Sequence, residues 1–267
     1  MAKTIKTISA FFKAETKKTL AYRGMVFLWI LGWIASFITM VFLWRSAETQ
    51  GTLAGFNQNQ IVTYYFIGIL VWAVCSWWPF WAISEEIKDG SIVQYITKPI
   101  DFHWCRLGSE IGWHTINTLF YLIFFLVIFI FVKHFLVFNL SLRQLLIFVF
   151  SLAIVSLVNF EFNLLISTTA FWILNTGGIG SLYWLVMSLF GGQIVPLAFF
   201  PKWSQTIVKI LPFRFMYSFP LEIYLGQQSG WPLLFSFAVG IFWVVTFYFL
   251  FKHFWQKGLK VYTAFGQ

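Results

Sequence analysis

The sequence predicts an all-α, polytopic membrane protein with six transmembrane helices, and three observations carry that reading. The 267 residues are 60% hydrophobic and only 10% charged, with a mean hydropathy of +0.79. That balance leaves too little polar surface to cover a water-soluble domain. Six apolar runs each approach the roughly 20 residues that a helix needs to cross a hydrocarbon core of about 30 Å. The 18 Lys and Arg residues gather on alternate connecting segments, as the positive-inside bias requires. The 15 Trp and 35 Phe suit lipid-facing surfaces and interfacial belts and indicate no ligand.

The first 23 residues, MAKTIKTISAFFKAETKKTLAYR, have no short apolar core with a small-residue cleavage site, so no removable signal is expected. Ile5, Ile8, Phe12 and Leu20 recur near helical spacing with lysines between them. Residues 1–23 therefore read as an amphipathic helix on the inner leaflet, touching anionic membrane lipids. The spans fall at 24–44, 60–83, 111–132, 144–172, 179–200 and 231–251. No charged residue lies between Phe162 and Pro201, so only the turn LNTGGIG, with Asn175, Gly177, Gly178 and Gly180, separates the fourth and fifth spans. As a helix, 144–172 would reach about 43 Å, so its inner end is expected to project into the cytosol. Gly191 and Gly192 before Pro196 are expected to kink the fifth span.

Orientation follows from the basic residues. With the N-terminus inside, twelve of the 18 fall on inner segments: Lys3, Lys6, Lys13, Lys17, Lys18 and Arg23, then Lys88, Lys98 and Arg106, then Lys252, Lys257 and Lys260. Both termini are therefore expected in the cytosol. The net charge of +9 is spread over every long inner segment, which reads as topology and lipid contact rather than nucleic-acid binding.

The most charged stretch between two apolar runs is SEEIKDGSIVQYITKPIDF, residues 84–102. Ser84 is expected to cap a helix carrying Glu85 and Glu86 in its first turn, where acids suit the positive helix end. Gly90 permits a break, SIVQYI resumes, and Pro99 stops it. Two short pieces result, with Ile87, Ile92, Val93, Tyr95 and Ile96 as an apolar face for the membrane, the chain's own helices or a partner.

Motifs for chemistry are absent from the sequence. No G-x-x-x-x-G-K-[ST] loop exists to cradle ATP phosphates, and neither H-E-x-x-H nor G-x-S-x-G occurs. No catalytic residue and no metal site is expected; Cys75 and Cys105 have no ligand spacing and read as packed or free thiols. His103, His114, His134 and His253 likewise read as packing or interface residues. Gly108 and Gly112 form a small-xxx-small pair that allows close helix approach. Glu161, in VNFEFN, is the sole acid within a predicted span. Eighteen residues beyond Arg143 place it about 27 Å along the helix, near the inner side. An intramembrane carboxylate is functional or paired, so Glu161 is a substrate-path candidate, with a structural hydrogen bond as the other reading.

The run SEEIKDGSIVQYITKPIDFHWCRLGSEIG resembles the stretch after the second span of bacterial ATP-binding-cassette (ABC) permeases of the type-2 exporter class. AYRGMVFLWILGW, FLWRSA, QIVTYYFIG and the tail WQKGLKVYTAFG agree in order and spacing from Ala21 to Gly266. The resemblance implies one permease domain over 1–267 that works as an exporter beside a second, identical or different permease in the cytoplasmic membrane; the aromatic content suits an amphipathic or lipidic cargo, such as a drug, peptide or lipid-linked molecule, and lipid-facing Phe accounts for that content equally. It implies a cytosolic coupling loop at 84–110, with Glu85, Glu86, Ile87, Gly90, Ser91, Ile92, Tyr95, Lys98 and Pro99 as docking and shape-setting positions for a separate ATPase subunit that binds ATP and Mg. It also implies helices re-entering the outer leaflet at 201–230, where Pro201, Pro212, Pro220 and, just beyond, Pro232 punctuate pieces too short to span. The alternative, a self-contained ion-coupled carrier or membrane-embedded enzyme, calls for several intramembrane ionisable groups, and Glu161 stands alone.

Overall fold

The computed structural model describes residues 2–21, 24–47, 55–138, 141–173 and 175–262. Arg23 and the last residues of the tail motif lie outside them. Among the described residues every regular element is a helix: α1 Ala2–Ala21, α2 Gly24–Ala47, α3 Gln58–Cys75, α4 Phe80–Lys88, α5 Val93–Ile96, α6 Phe102–Val132, α7 Leu142–Ser167, α8 Gly177–Phe190, α9 Lys202–Ile210, α10 Ser218–Tyr224 and α11 Gly230–Val261. Four stretches are long and apolar enough to cross a membrane, at 58–88, 102–135, 142–171 and 230–261. The chain is a multi-pass membrane protein. Shorter apolar helical stretches run from Leu31 to Trp44 in α2 and along α8.

α1 lies along the first half of α6, and the glycine pair explains how. A Cβ built on Gly108 would stand 2.6 Å from the Ile8 carbonyl oxygen, and one on Gly112 would stand 2.6 Å from that of Phe12. Only glycine admits the α1 backbone so closely. This notch sets which side of α1 faces inward: Ile8, Phe11, Phe12 and Thr19 are wholly or partly covered, whereas Ile5 and Leu20 stay exposed with Lys6, Lys13, Lys17 and Lys18. The four apolar residues expected on one stripe are thus divided between two faces.

α3 opens with a capping box in which Asn57 and Gln60 exchange side-chain to backbone bonds of 2.8 and 2.9 Å. It ends at Cys75, and α4 restarts after Pro79, whose φ of −64° suits a first turn. Ser84 therefore does not cap the helix as expected. It sits inside α4, buried, with its hydroxyl oxygen unpartnered. α6 begins nine residues earlier than the expected span at 111, because the Asp101 side chain accepts the His103 N–H at 2.9 Å and caps it there. Residues 102–110, expected in the loop, are the first turns of this helix, with Gly108 against α1 and with His103 and Arg106 turned to Glu161 and Glu86.

The expected span 179–200 is not a single helix. α8 has 14 residues, about 21 Å of rise, short of a hydrocarbon core. Gly192 then takes φ +88°. Its carbonyl accepts Tyr64 Oη at 2.6 Å, and that of Ile194 accepts Tyr65 Oη at 2.8 Å and Trp44 Nε1 at 3.2 Å. These bonds replace helical ones and make the break a fixed turn. Beyond it, α9, a 3-10 turn at Pro212–Met216 and α10 pack in short pieces between α7, α8 and α11. Trp243 Nε1 donates to the Ile210 carbonyl at 2.8 Å, about 20 Å along α11 from its start.

Candidate functional site

The loop after α4 is anchored from inside the protein. Ile83, Ile87 and Ile92 are buried with Phe160, Leu164, Phe171, Phe251 and Trp255, so α4 and the start of α5 sit on α7 and α11. Ile87 and Ile92, expected on a docking face, are instead 2% and 0% exposed. Their β-branched side chains complete the core and set the loop's shape. Gly90, at φ +83°, allows the reversal between α4 and α5. Tyr262 Oη donates to the Ile87 carbonyl at 3.1 Å and ties in the end of α11. Tyr95 meets Phe102 edge-on at 5.3 Å and approaches Phe11 of α1 at 5.9 Å.

Charges complete the anchoring. Arg106 donates to Glu86 at 3.2 Å across a mostly buried interface, while its Nε and Nη2 have no partner among the described residues. Lys252 of α11 holds both oxygens of Asp101, at 2.7 and 3.0 Å. Partial burial pushes the Asp101 carboxyl up, but the Lys252 ammonium and the His103 N–H outweigh it and hold it below the usual carboxylate range. Glu85, Ser91, Val93, Ile96, Lys98 and Pro99 remain exposed. Lys98 and Pro99 rim a cavity of about 480 Å³ whose other wall is Lys252, Trp255 and Leu259.

Glu161 is 4% exposed, and its Oε1 lies 2.7 Å from His103 Nε2. Glu161 Oε2 and His103 Nδ1 are buried without partners among the described residues. The two residues line a cavity of about 380 Å³ between α6, α7 and α11. His103 was expected to be a packing residue, and its sequence context gives no sign of the pair, since 58 residues separate it from Glu161.

At the opposite end of the bundle stands a second charged site that sequence reasoning missed. Arg214, 2% exposed, donates to both oxygens of Glu222 at 3.1 and 2.7 Å, to Ser236 Oγ at 3.1 Å and to the Lys209 carbonyl at 3.1 Å. Ser218 and Gln228 also donate to Glu222, at 3.4 and 3.0 Å. An i,i+8 spacing pairs on no single helix; the chain reverses at Tyr217, with φ −152° and ψ −61°, and brings the two together.

A family model described as "ABC-2 family transporter protein" matches residues 30–266. No curated protein and no solved structure matches the chain.

Proposed function

Because the chain belongs to the ABC-2 transporter family, and is thus a membrane permease component of an ABC transporter, we propose that it couples to a separate ATPase subunit and exports an amphipathic or lipidic cargo. In this reading it lies in a bacterial cytoplasmic membrane with both termini in the cytosol and six crossings, the fifth made by α8 together with the bonded turn that follows it, and two permease chains, identical or different, form the path. ATP and Mg belong to the ATPase, and this chain supplies no cofactor and no catalytic group.

The observation that carries the reading is the two-sided build of the loop at residues 84–101. One side is fixed to α6, α7 and α11 by Ile87, Ile92, Tyr95 and the Glu86–Arg106 pair. The other leaves Val93 and Ile96, 38% and 41% exposed, beside Glu85 and Lys98. A solvated connector would gain nothing from exposed apolar side chains on a rigid base. A protein groove would bury them. Movement of such a partner would reach three long helices through the buried side. The pieces at 201–230, which run beside α11 as far as Trp243, fit helices re-entering from the outer surface and would act as the outer gate.

The test is purification of the tagged chain from its native membrane in mild detergent, with mass spectrometry of its companions. A Walker-type ATPase is expected. Ile96→Glu should lower its recovery by about tenfold or more, as loss of a central interface contact does, while leaving the chain's elution and thermal midpoint unchanged. Ile92→Glu, which would bury an unpaired acid, should instead destabilise the chain itself. If the chain purifies alone, and Val93→Glu with Ile96→Glu changes nothing, the coupled-exporter reading is wrong.

A further inference from the structure

We propose that the groove between α6, α7 and α11 is a binding site for a cationic amphiphile, a single hydrocarbon chain bearing a protonated amine, whose headgroup is received by Glu161 and His103. This rests on reading the chain as a permease with Glu161 on its substrate path, and it names the class of cargo.

With the imidazole donating Nε2–H to Glu161 Oε1, the tautomer assigned here because Oε1 is an acceptor, both remaining polar atoms are acceptors. They are Glu161 Oε2 and His103 Nδ1, each buried and without a partner among the described residues. Buried polar atoms are seldom left so, and each asks for a donor. An ammonium brings several N–H donors and the charge opposite to the carboxylate. A sulfate or phosphate would bring only acceptors and the same sign of charge.

The groove's walls define the rest of the ligand. On each of the three helices, one turn separates a polar or aromatic residue near the loop end from an aliphatic one deeper in the bundle. His103 is followed by Leu107 on α6, Glu161 is preceded by Leu157 on α7, and Tyr248 is preceded by Val244 on α11. A head held by the Glu161–His103 pair therefore leads into a strip lined only by aliphatic side chains, the layout of an amphiphile aligned with a leaflet. The volume of about 380 Å³ lies in the range of small-molecule sites. Access is lateral, because the rim residues Trp104, Leu157, Val245 and Phe249 are 36%, 39%, 47% and 64% exposed on the outside of the bundle. A lipid-dissolved molecule reaches the site without crossing water. Near the mouth, the Lys252 cation is already held by Asp101 and does not oppose a second cation at Glu161.

The experiment uses the full chain in phosphatidylcholine nanodiscs, without ATPase or ATP, and a dodecylamine carrying a diazirine on its tail. The alcohol and the sulfate ester of the same chain are the controls. The amine is expected to label α6, α7 and α11 peptides around Leu107, Leu157 and Val244 at concentrations about 10- to 100-fold below the alcohol, the scale of a charged hydrogen bond. The sulfate should label them least. Glu161→Gln should erase the difference between amine and alcohol, and Glu161→Asp should keep it. Val245→Trp, at an exposed rim position, should cut labelling by amine and alcohol alike and decides the matter should the Gln variant misfold. Equal labelling by amine and alcohol, an amine preference that survives Glu161→Gln, or labelling indifferent to Val245→Trp overturns the inference. Because no ATPase takes part, a failed ATPase recovery removes the exporter reading and leaves this result untouched, and the converse holds.

Discussion

Arg214→Met is expected to destabilise the protein by about 3–5 kcal/mol, the cost of leaving one partner of a buried ion pair alone. Glu222, only 12% exposed in its side chain, would retain the Ser218 and Gln228 donors but lose its counter-charge. The Phe215 and Phe219 rings, whose centroids lie 5.3 Å from the guanidinium, would lose their cation. In mild detergent the unfolding midpoint, followed by fluorescence-detected gel filtration, should fall sharply. The double change Arg214→Met with Glu222→Leu should recover most of the loss, because an apolar pair of similar volume replaces a buried ion pair at little cost. Equal destabilisation by the single and double variants would mean that Arg214 acts through Ser236 and the Lys209 carbonyl instead. The pair joins the Pro212–Met216 turn to α10, and Ser236 joins both to α11, so its loss should loosen the whole segment at 201–230.

The pair also marks where sequence reasoning stops. Long apolar runs are legible as runs, so the expected spans 60–83, 111–132, 144–172 and 231–251 coincide with the four stretches long and apolar enough to cross a membrane, though not with their ends, and the break at Gly90 was legible too. Three features hid from the same reading. Ser84 looks like a cap because it precedes two acids, yet Pro79 five residues earlier already starts the helix. His103 and Arg106 look like loop residues because they are polar, yet they belong to α6 and face Glu161 of α7 and Glu86 of α4. Fifth-span residues 179–200 carry no charge, yet Tyr64, Tyr65 and Trp44 supply donors for a broken backbone, which hydropathy does not register. Glu161 was singled out as an acid among apolar neighbours. Its partner was not, since only the packing of α6 against α7 brings His103 within 2.7 Å. Except at Ser84, where the signal was local, the missing information was a contact between segments far apart in the chain.

Replacing both glycines of the notch, Gly108→Val with Gly112→Val, should detach α1. A Cβ at either position meets backbone atoms of α1 at 2.6 Å, so no side-chain rotation relieves the clash and the helices must separate. Overpacking of this kind costs about 1–3 kcal/mol per site. α1 is a terminal element held along one face, and such elements open first. Two sites together should raise the opened fraction by well over tenfold. Limited trypsinolysis then cuts rapidly after Lys13, Lys17 and Lys18, and amide exchange of α1 accelerates while α7 and α11 stay protected. Gly32→Ala, where a Cβ meets nothing within 4 Å, serves as the control and should leave α1 intact. The effect should extend beyond α1, because Phe11 backs Tyr95 of the loop. ATPase recovery should therefore weaken as well, though less than with Ile96→Glu, since the exposed residues of α5 are untouched. If α1 stays protected in the double valine chain, the notch does not hold it, and its docking rests on Phe11, Phe12 and Thr19 alone.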